Sequence, residues 1–116
     1  MRTAAEAGAA IFAAHPFEHG SSTSDGRLTR RFARDAGLRE LGHRFELFNR
    51  NVLFGWVAET GLPAVAAGDF HRLEDLSGWK TIVPEPSHEE AVVRYLRSRR
   101  PVYLARLEAE ATLAAA

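Results

Sequence analysis

The chain has 116 residues, 46% of them hydrophobic and 26% charged, with no cysteine and a net charge of zero. That composition excludes a disordered chain and fits one domain, or a piece of one. It also excludes a disulfide framework, a thiol nucleophile and a cysteine-ligated zinc site, so any metal must be held by His, Asp, Glu or backbone oxygens.

Taken in order, the sequence alternates strand-like and helix-like segments. Met1 to Ala14 imitates a secretory leader, but its apolar run is short, Ala-rich and preceded by Glu6, so no leader is expected. Ala9–Ala14 reads instead as a buried strand ending at His15-Pro16, followed by a Gly/Ser loop over Gly20–Gly26. Arg27–Ala36 carries Leu28, Phe32 and Ala36 at helical spacing, with Gly37 as a stop. Arg44–Asn49 is strand-like and aromatic. Asn51–Thr60 holds a helical stripe of Val52, Leu53, Trp56 and Val57, closed by Gly61. Pro63–Gly68 predicts a small-residue strand, and Lys80–Val83 another. Ser87-His88-Glu89-Glu90 has the form of a capping box. The helix it opens must stop near Arg100, because Pro101 disfavours helix before it. Val102–Leu107 predicts a last strand and Glu108–Ala116 a helical or frayed tail. This alternation points to an α/β fold of parallel strands with packed helices, in which functional residues gather at the C-terminal strand ends. The expected division is one domain over 1–107 and a tail over 108–116.

Charge is uneven. Residues 27–44 carry six Arg, residues 94–106 five Arg and no acid, and residues 69–90 six acids. Neither basic stretch has aromatics interleaved for base stacking. Solvated helix faces are therefore the expectation, with nucleic acid left as an open alternative. No run of 18 apolar residues occurs, so no membrane-spanning helix and a cytoplasmic location are expected.

Three strands end in groups able to ligate a metal or orient a substrate: His15 after the first, Glu46 and Asn49 on the second, Asp69 and His71 after the third. Asp69 and His71, two apart in an extended segment, project to one side and could converge on one cation. A surface cap role for Asp69 is the competing reading, and a lone D-x-H is a weak signal. Glu46 between Phe45 and Leu47 is either buried and paired or turned to solvent. His19, His43 and His88 have no matching partner, although His19 lies close to His15 in sequence.

Five short segments together resemble a family. His15-Pro16-Phe17, Glu46-Leu47-Phe48-Asn49, Gly61-Leu62-Pro63, Gly68-Asp69-Phe70-His71 and Trp79-Lys80-Thr81, in that order, are similar to the second half of a PHP (polymerase and histidinol phosphatase) domain. The resemblance covers about residues 7 to 100. It implies part of a (βα)7 barrel and hydrolysis of phosphoric esters by metal-activated water. It also implies that His15, Asp69 and His71 are metal ligands and that Glu46 and Asn49 stand at the rim. Arg50 and Arg72 are candidates to meet the phosphate. Zn or Mn is the implied ion, with Fe and Mg as further options, and the implied substrate is a phosphorylated small molecule or nucleotide. Gly68 and Phe70 depart from the family pattern. Its opening His-x-His strand and bridging acid have no counterpart here, so the chain resembles the C-terminal half of such an enzyme. That half is expected to be inactive alone, completed by an N-terminal half-barrel partner or by self-association. The alternative is a non-catalytic module that binds metal or docks to a partner.

Overall fold

The computed structural model describes residues 2–14 and 34–108. In chain order these form α1 (Arg2–Glu6), β1 (Phe12–Ala13), α2 (Ala36–Leu41), β2 (Arg44–Asn49) and β3 (Val52–Leu53). There follow α3 (Gly55–Glu59), β4 (Ala64–Ala67), a 3-10 turn (Leu73–Leu76), β5 (Gly78–Ile82), α4 (Glu89–Arg97) and β6 (Tyr103–Leu107). His15, the Gly20–Gly26 loop, most of the Arg27–Ala36 segment and the tail from 109 onward lie outside the described residues.

β2 is the centre of the larger sheet. β4 runs parallel along it, from Phe45↔Ala64 to Asn49↔Ala67. The other edge of β2 is shared: β1 pairs in parallel at its start, through Phe12↔Arg44 and Ala13↔Phe45. β3 pairs antiparallel at its end, through Phe48↔Leu53 and Asn49↔Val52. β5 and β6 form a separate antiparallel pair, from Gly78↔Leu107 to Ile82↔Tyr103. The two sheets are joined by side chains. The rings of Phe48 and Trp79 stack at 4.4 Å. The Thr81 hydroxyl accepts from the Ala66 N–H and donates to the Ala66 carbonyl, both at 2.8 Å, satisfying the outer edge of β4.

The expected fold, a partial (βα)7 PHP-type barrel of parallel strands with packed helices, is corrected by this topology. β1, β2 and β4 are parallel neighbours. However, β3 and the whole β5–β6 sheet are antiparallel, and no barrel closes among the described residues. For β3 the cause is connection length. Only Arg50 and Asn51 separate β2 from β3, and two residues can make a hairpin but not a parallel crossover.

Several element boundaries are corrected as well. Gly37 lies inside α2 rather than ending a helix. The Asn51–Thr60 stripe is divided into β3 and the single turn α3, because Val52 and Leu53 pair with β2. Thr60 ends that turn, its hydroxyl donating to the Trp56 carbonyl at 2.8 Å, and Gly61 reverses the chain at φ 64. The capping box at Ser87 does not form; His88 holds the cap position without a side-chain bond. α4 stops at Arg97, with Ser98 as its cap and Arg99 at φ 60.

The core is small and lies on one side of β2. Phe45, Phe54, Val57 and Leu62 are buried together, with Ala13, Leu47, Trp56 and Ala64 against them. A buried arginine connects this sheet to α4. Arg44, 1% exposed, donates from Nε to the Leu96 carbonyl (2.9 Å) and from Nη2 to the carbonyls of Arg100 (2.6 Å) and Tyr95 (3.4 Å). Its Nη1 reaches the Ala64 carbonyl at 3.4 Å. The guanidinium thus satisfies the Leu96 carbonyl, which the end of α4 leaves orphaned, and places positive charge at the negative end of the helix dipole.

Candidate functional site

The C-terminal ends of β2 and β4 lie side by side, and the sequence motifs meet there. Register explains how. Between the pairs Glu46↔Val65 and Phe48↔Ala66 the ladder skips Leu47, an extra residue in β2. Ordinary strand parity would set Glu46 and Asn49 on opposite faces. The bulge puts both on the face away from the aromatic core, where they are buried (6% and 8% exposed) and the Asn49 amide donates to Glu46 Oε2 at 3.3 Å. The reading in which Glu46 faces solvent is therefore excluded. A sequence cannot announce a bulge, which is why the 46/49 pair was legible as two rim residues but not as a bonded unit.

Beyond the strands the chain turns sharply twice. Arg50 (φ 53) and Asp69 (φ 45) both occupy the left-handed region, unusual for residues with a side chain. The Arg50 N–H bonds the Ala67 carbonyl at 2.9 Å, so the two turns are tied together. Gly78, at φ 95, approaches the Arg50 carbonyl so closely that a Cβ there would sit 3.3 Å from it. The Trp79 N–H then donates to the same carbonyl.

Five polar side chains follow from these turns. Asp69 Oδ1 and His71 Nε2 are 3.1 Å apart. Arg50 Nη2 donates to the Asp69 carbonyl at 3.1 Å and lies 3.5 Å from both Asp69 Oδ2 and Asp75 Oδ2. Asp75, on the 3-10 turn, accepts the backbone N–H groups of His71 (3.0 Å) and Arg72 (2.9 Å). Those two bonds, with the nearby Arg50 charge, hold its pKa below the usual carboxylate value, the His71 bond contributing most. Lys80 Nζ closes the loop from the other side, donating at 3.1 Å to the carbonyls of Asp75 and Ser77. It lies where a Cβ on residue 68 would stand, 2.6 Å away, so Gly68 is the residue that admits it.

The structure thus brings Glu46, Asn49, Arg50, Asp69 and His71 to one rim. Arg72 is turned to solvent, with its Nε 3.9 Å from Glu74 Oε2, and does not join them. His15 lies outside the described residues. Phe70 points outward and leaves the rim open. Asp75 and Lys80 are the residues that sequence reading missed. Lys80, the single lysine among 14 arginines, was a signal of a kind; Asp75 carried none. His43 is structural: its Nδ1 accepts the Ile11 N–H at 3.0 Å, anchoring β1. Burial, then the charges of Arg97, Arg99 and Arg44, lower its pKa.

Two donors each about 2.0–2.2 Å from one divalent ion can sit 3.1 Å apart, so the Asp69–His71 pair fits half of a metal's coordination. Among the described residues no group of three or more His, Asp or Glu side chains converges to hold an ion. No helix among the described residues is long and apolar enough to cross a membrane. Neither a protein-family model nor a curated protein matches the chain.

Proposed function

We propose that this chain contributes part of a metal-dependent phosphoesterase site, as the PHP-like motifs imply. The observation that carries the reading is the Asp69–His71 pair, 3.1 Å apart on an open rim beside the Arg50 guanidinium. Asp69 and His71 would hold one Zn²⁺ or Mn²⁺ through a carboxylate and a neutral imidazole, with His15 as a further ligand. Such an ion, when bound, activates water and neutralises phosphoryl charge. Arg50 orients a phosphoryl oxygen through the end of its guanidinium, whose Nη2 stands 3.5 Å from Asp69 Oδ2. The substrate class is a phosphorylated small molecule or nucleotide, and the partner is an N-terminal half or a second copy that supplies the missing ligands. Titration calorimetry of Zn²⁺ or Mn²⁺ into the chain and into His71→Ala tests this. Saturable uptake that weakens in the variant and at lower pH, where imidazole protonates, is expected. Equal uptake by the variant removes His71 from the site.

A second reading, a non-catalytic docking or metal-binding module, is favoured by one observation. Phe70, Leu73 and Leu76 on the same loop are 57%, 77% and 59% exposed, an apolar surface beside the charged rim. Phosphate release only on adding a second chain supports the first reading; partner binding that survives Asp69→Asn supports the second.

A further inference from the structure

The opposite, N-terminal rim of β2 and β4 carries a feature that the phosphoesterase reading does not use. A cavity of about 330 Å³ opens there, lined by Arg44 at the start of β2, Ala64 at the start of β4, and Arg99, Arg100 and Pro101 beyond α4. Three arginines therefore border one concave space, and among the described residues Glu85 is the one carboxylate paired with any of them, at 3.1 Å from Arg100 Nη2.

The arginines are held in place by bonds that leave donors over. Arg44 spends four contacts on carbonyls. Arg99 Nη2 donates to the carbonyls of Arg39 and Gly42, anchoring the side chain across to the end of α2. That leaves its Nε and Nη1 with no acceptor among the described residues. Arg100 uses Nε on Ser98 and Nη2 on Glu85, and its guanidinium carbon sits 4.1 Å over the Tyr95 ring, which leaves Nη1. The backbone fixes the same arrangement. Arg99 takes the left-handed position after the helix, where glycine is the usual residue, and Pro101 holds Arg100 extended. An arginine at a glycine position is a strained choice for ending a helix; here its side chain is what the position gains. Gly61, Leu62 and Pro63 give the cavity a partly apolar wall, which strengthens charge interactions inside it.

We propose that this cavity binds a compact, multiply charged phosphate-bearing small molecule, its anionic group bridging Arg99 and Arg100. The volume admits a diphosphate group with a small organic body and not a duplex. Planar guanidinium donors already oriented by carbonyls match phosphoryl oxygens in pairs. Binding would also relieve the repulsion among Arg44, Arg97, Arg99 and Arg100.

The test uses the full chain with sodium pyrophosphate as the probe, in EDTA and at fixed ionic strength. Calorimetry is expected to give one saturable site, and thermal unfolding a midpoint that rises with probe concentration. Arg99→Gln and Arg100→Gln should each bind at least tenfold more weakly, while His71→Ala on the opposite rim binds like the parent. Should Arg99→Gln unfold, Arg100→Gln alone decides. No saturable binding, equal binding by the Arg100 variant, or loss in His71→Ala each overturns the proposal. So does affinity that grows with the length of a single-stranded oligonucleotide, which would make the surface a nucleic-acid track.

Discussion

Arg44 offers the sharpest check on how this fold is held. Replacing it by Met keeps the apolar stem and deletes the guanidinium. Two of its bonds, at 2.6 and 2.9 Å, have full hydrogen-bond geometry, and the two at 3.4 Å contribute little. Hydrogen bonds from charged donors are worth about 1.5–3 kcal/mol each, so the gross loss is about 3–6 kcal/mol. Part returns, because a buried charge no longer has to be desolvated, and because Arg100 lies at the surface where water can reach its carbonyl. A net loss of about 3 kcal/mol is expected, a large fraction of the stability of a domain this size. In urea, with a slope of about 1–3 kcal/mol per molar, the midpoint should fall by about 1–3 M. Arg44→Lys, which keeps charge but not the fork, should fall between. A midpoint shift under about 0.3 M at unchanged slope would mean that the bond network is not what fastens α4 to β2.

Three further outcomes follow from the same structure. His43 has a folded pKa below its unfolded value, so the unfolded state binds more protons as pH falls below about 6.5 and stability declines; in His43→Gln the loss between pH 7 and 5 should shrink, read by urea midpoints at each pH. Gly68→Ala places a methyl 2.6 Å from Lys80 Nζ, the flexible end of a side chain; the lysine should swing away, release the Asp75 and Ser77 carbonyls, and cost about 1 kcal/mol, whereas a loss above about 3 kcal/mol would show that the backbone has to move. The pure chain, with Mn²⁺ or Zn²⁺ added, should release no measurable phosphate from simple esters, since the three implied ligands His15, Asp69 and His71 cannot position a pair of ions about 3.5–4 Å apart; turnover abolished by Asp69→Ala would contradict this.

What the sequence disclosed and what it hid divide along a physical line. The small apolar run identified β4, because two-sided burial leaves a continuous hydrophobic stretch, and aromatic content identified β2; the strand–helix alternation pointed to their parallel pairing. Asp69 and His71 do meet, but through the left-handed turn at Asp69 (φ 45) and not through the extended parity expected of them. Non-local effects were hidden. The helical stripe at 51–60 lost Val52 and Leu53 to β2, since a strand edge offers hydrogen bonds that periodicity does not count. The bulge at Leu47 is a property of the β2–β4 ladder and not of either strand. Arg44 read as one of six arginines spread over residues 27–44; nothing local distinguishes the one that enters the interior to bond a helix 52 residues away.

The strain at the rim carries the strongest argument that its shape is specified. Arg50 and Asp69 each hold a left-handed backbone, and such residues cost about 1–3 kcal/mol apiece. A rim serving only as a turn would place Gly or Asn there, as Gly61 and Gly78 do elsewhere in the chain. At Arg50 the side chain returns part of that cost by binding the Asp69 carbonyl and standing between Asp69 and Asp75. At Asp69 the carboxylate meets His71 and Arg50. Each strained residue thus stabilises the turn of the other. Arg50 spreads its charge over two carboxylates at 3.5 Å rather than closing on one, which leaves Asp69 less firmly neutralised than a bidentate pair would. A cation that took Asp69 and His71 would leave Arg50 its bond to Asp75 and free it to face an anion bound beside the metal. The geometry that costs stability at this rim is the one in which such a ligand and its counter-charge would exchange without moving a strand.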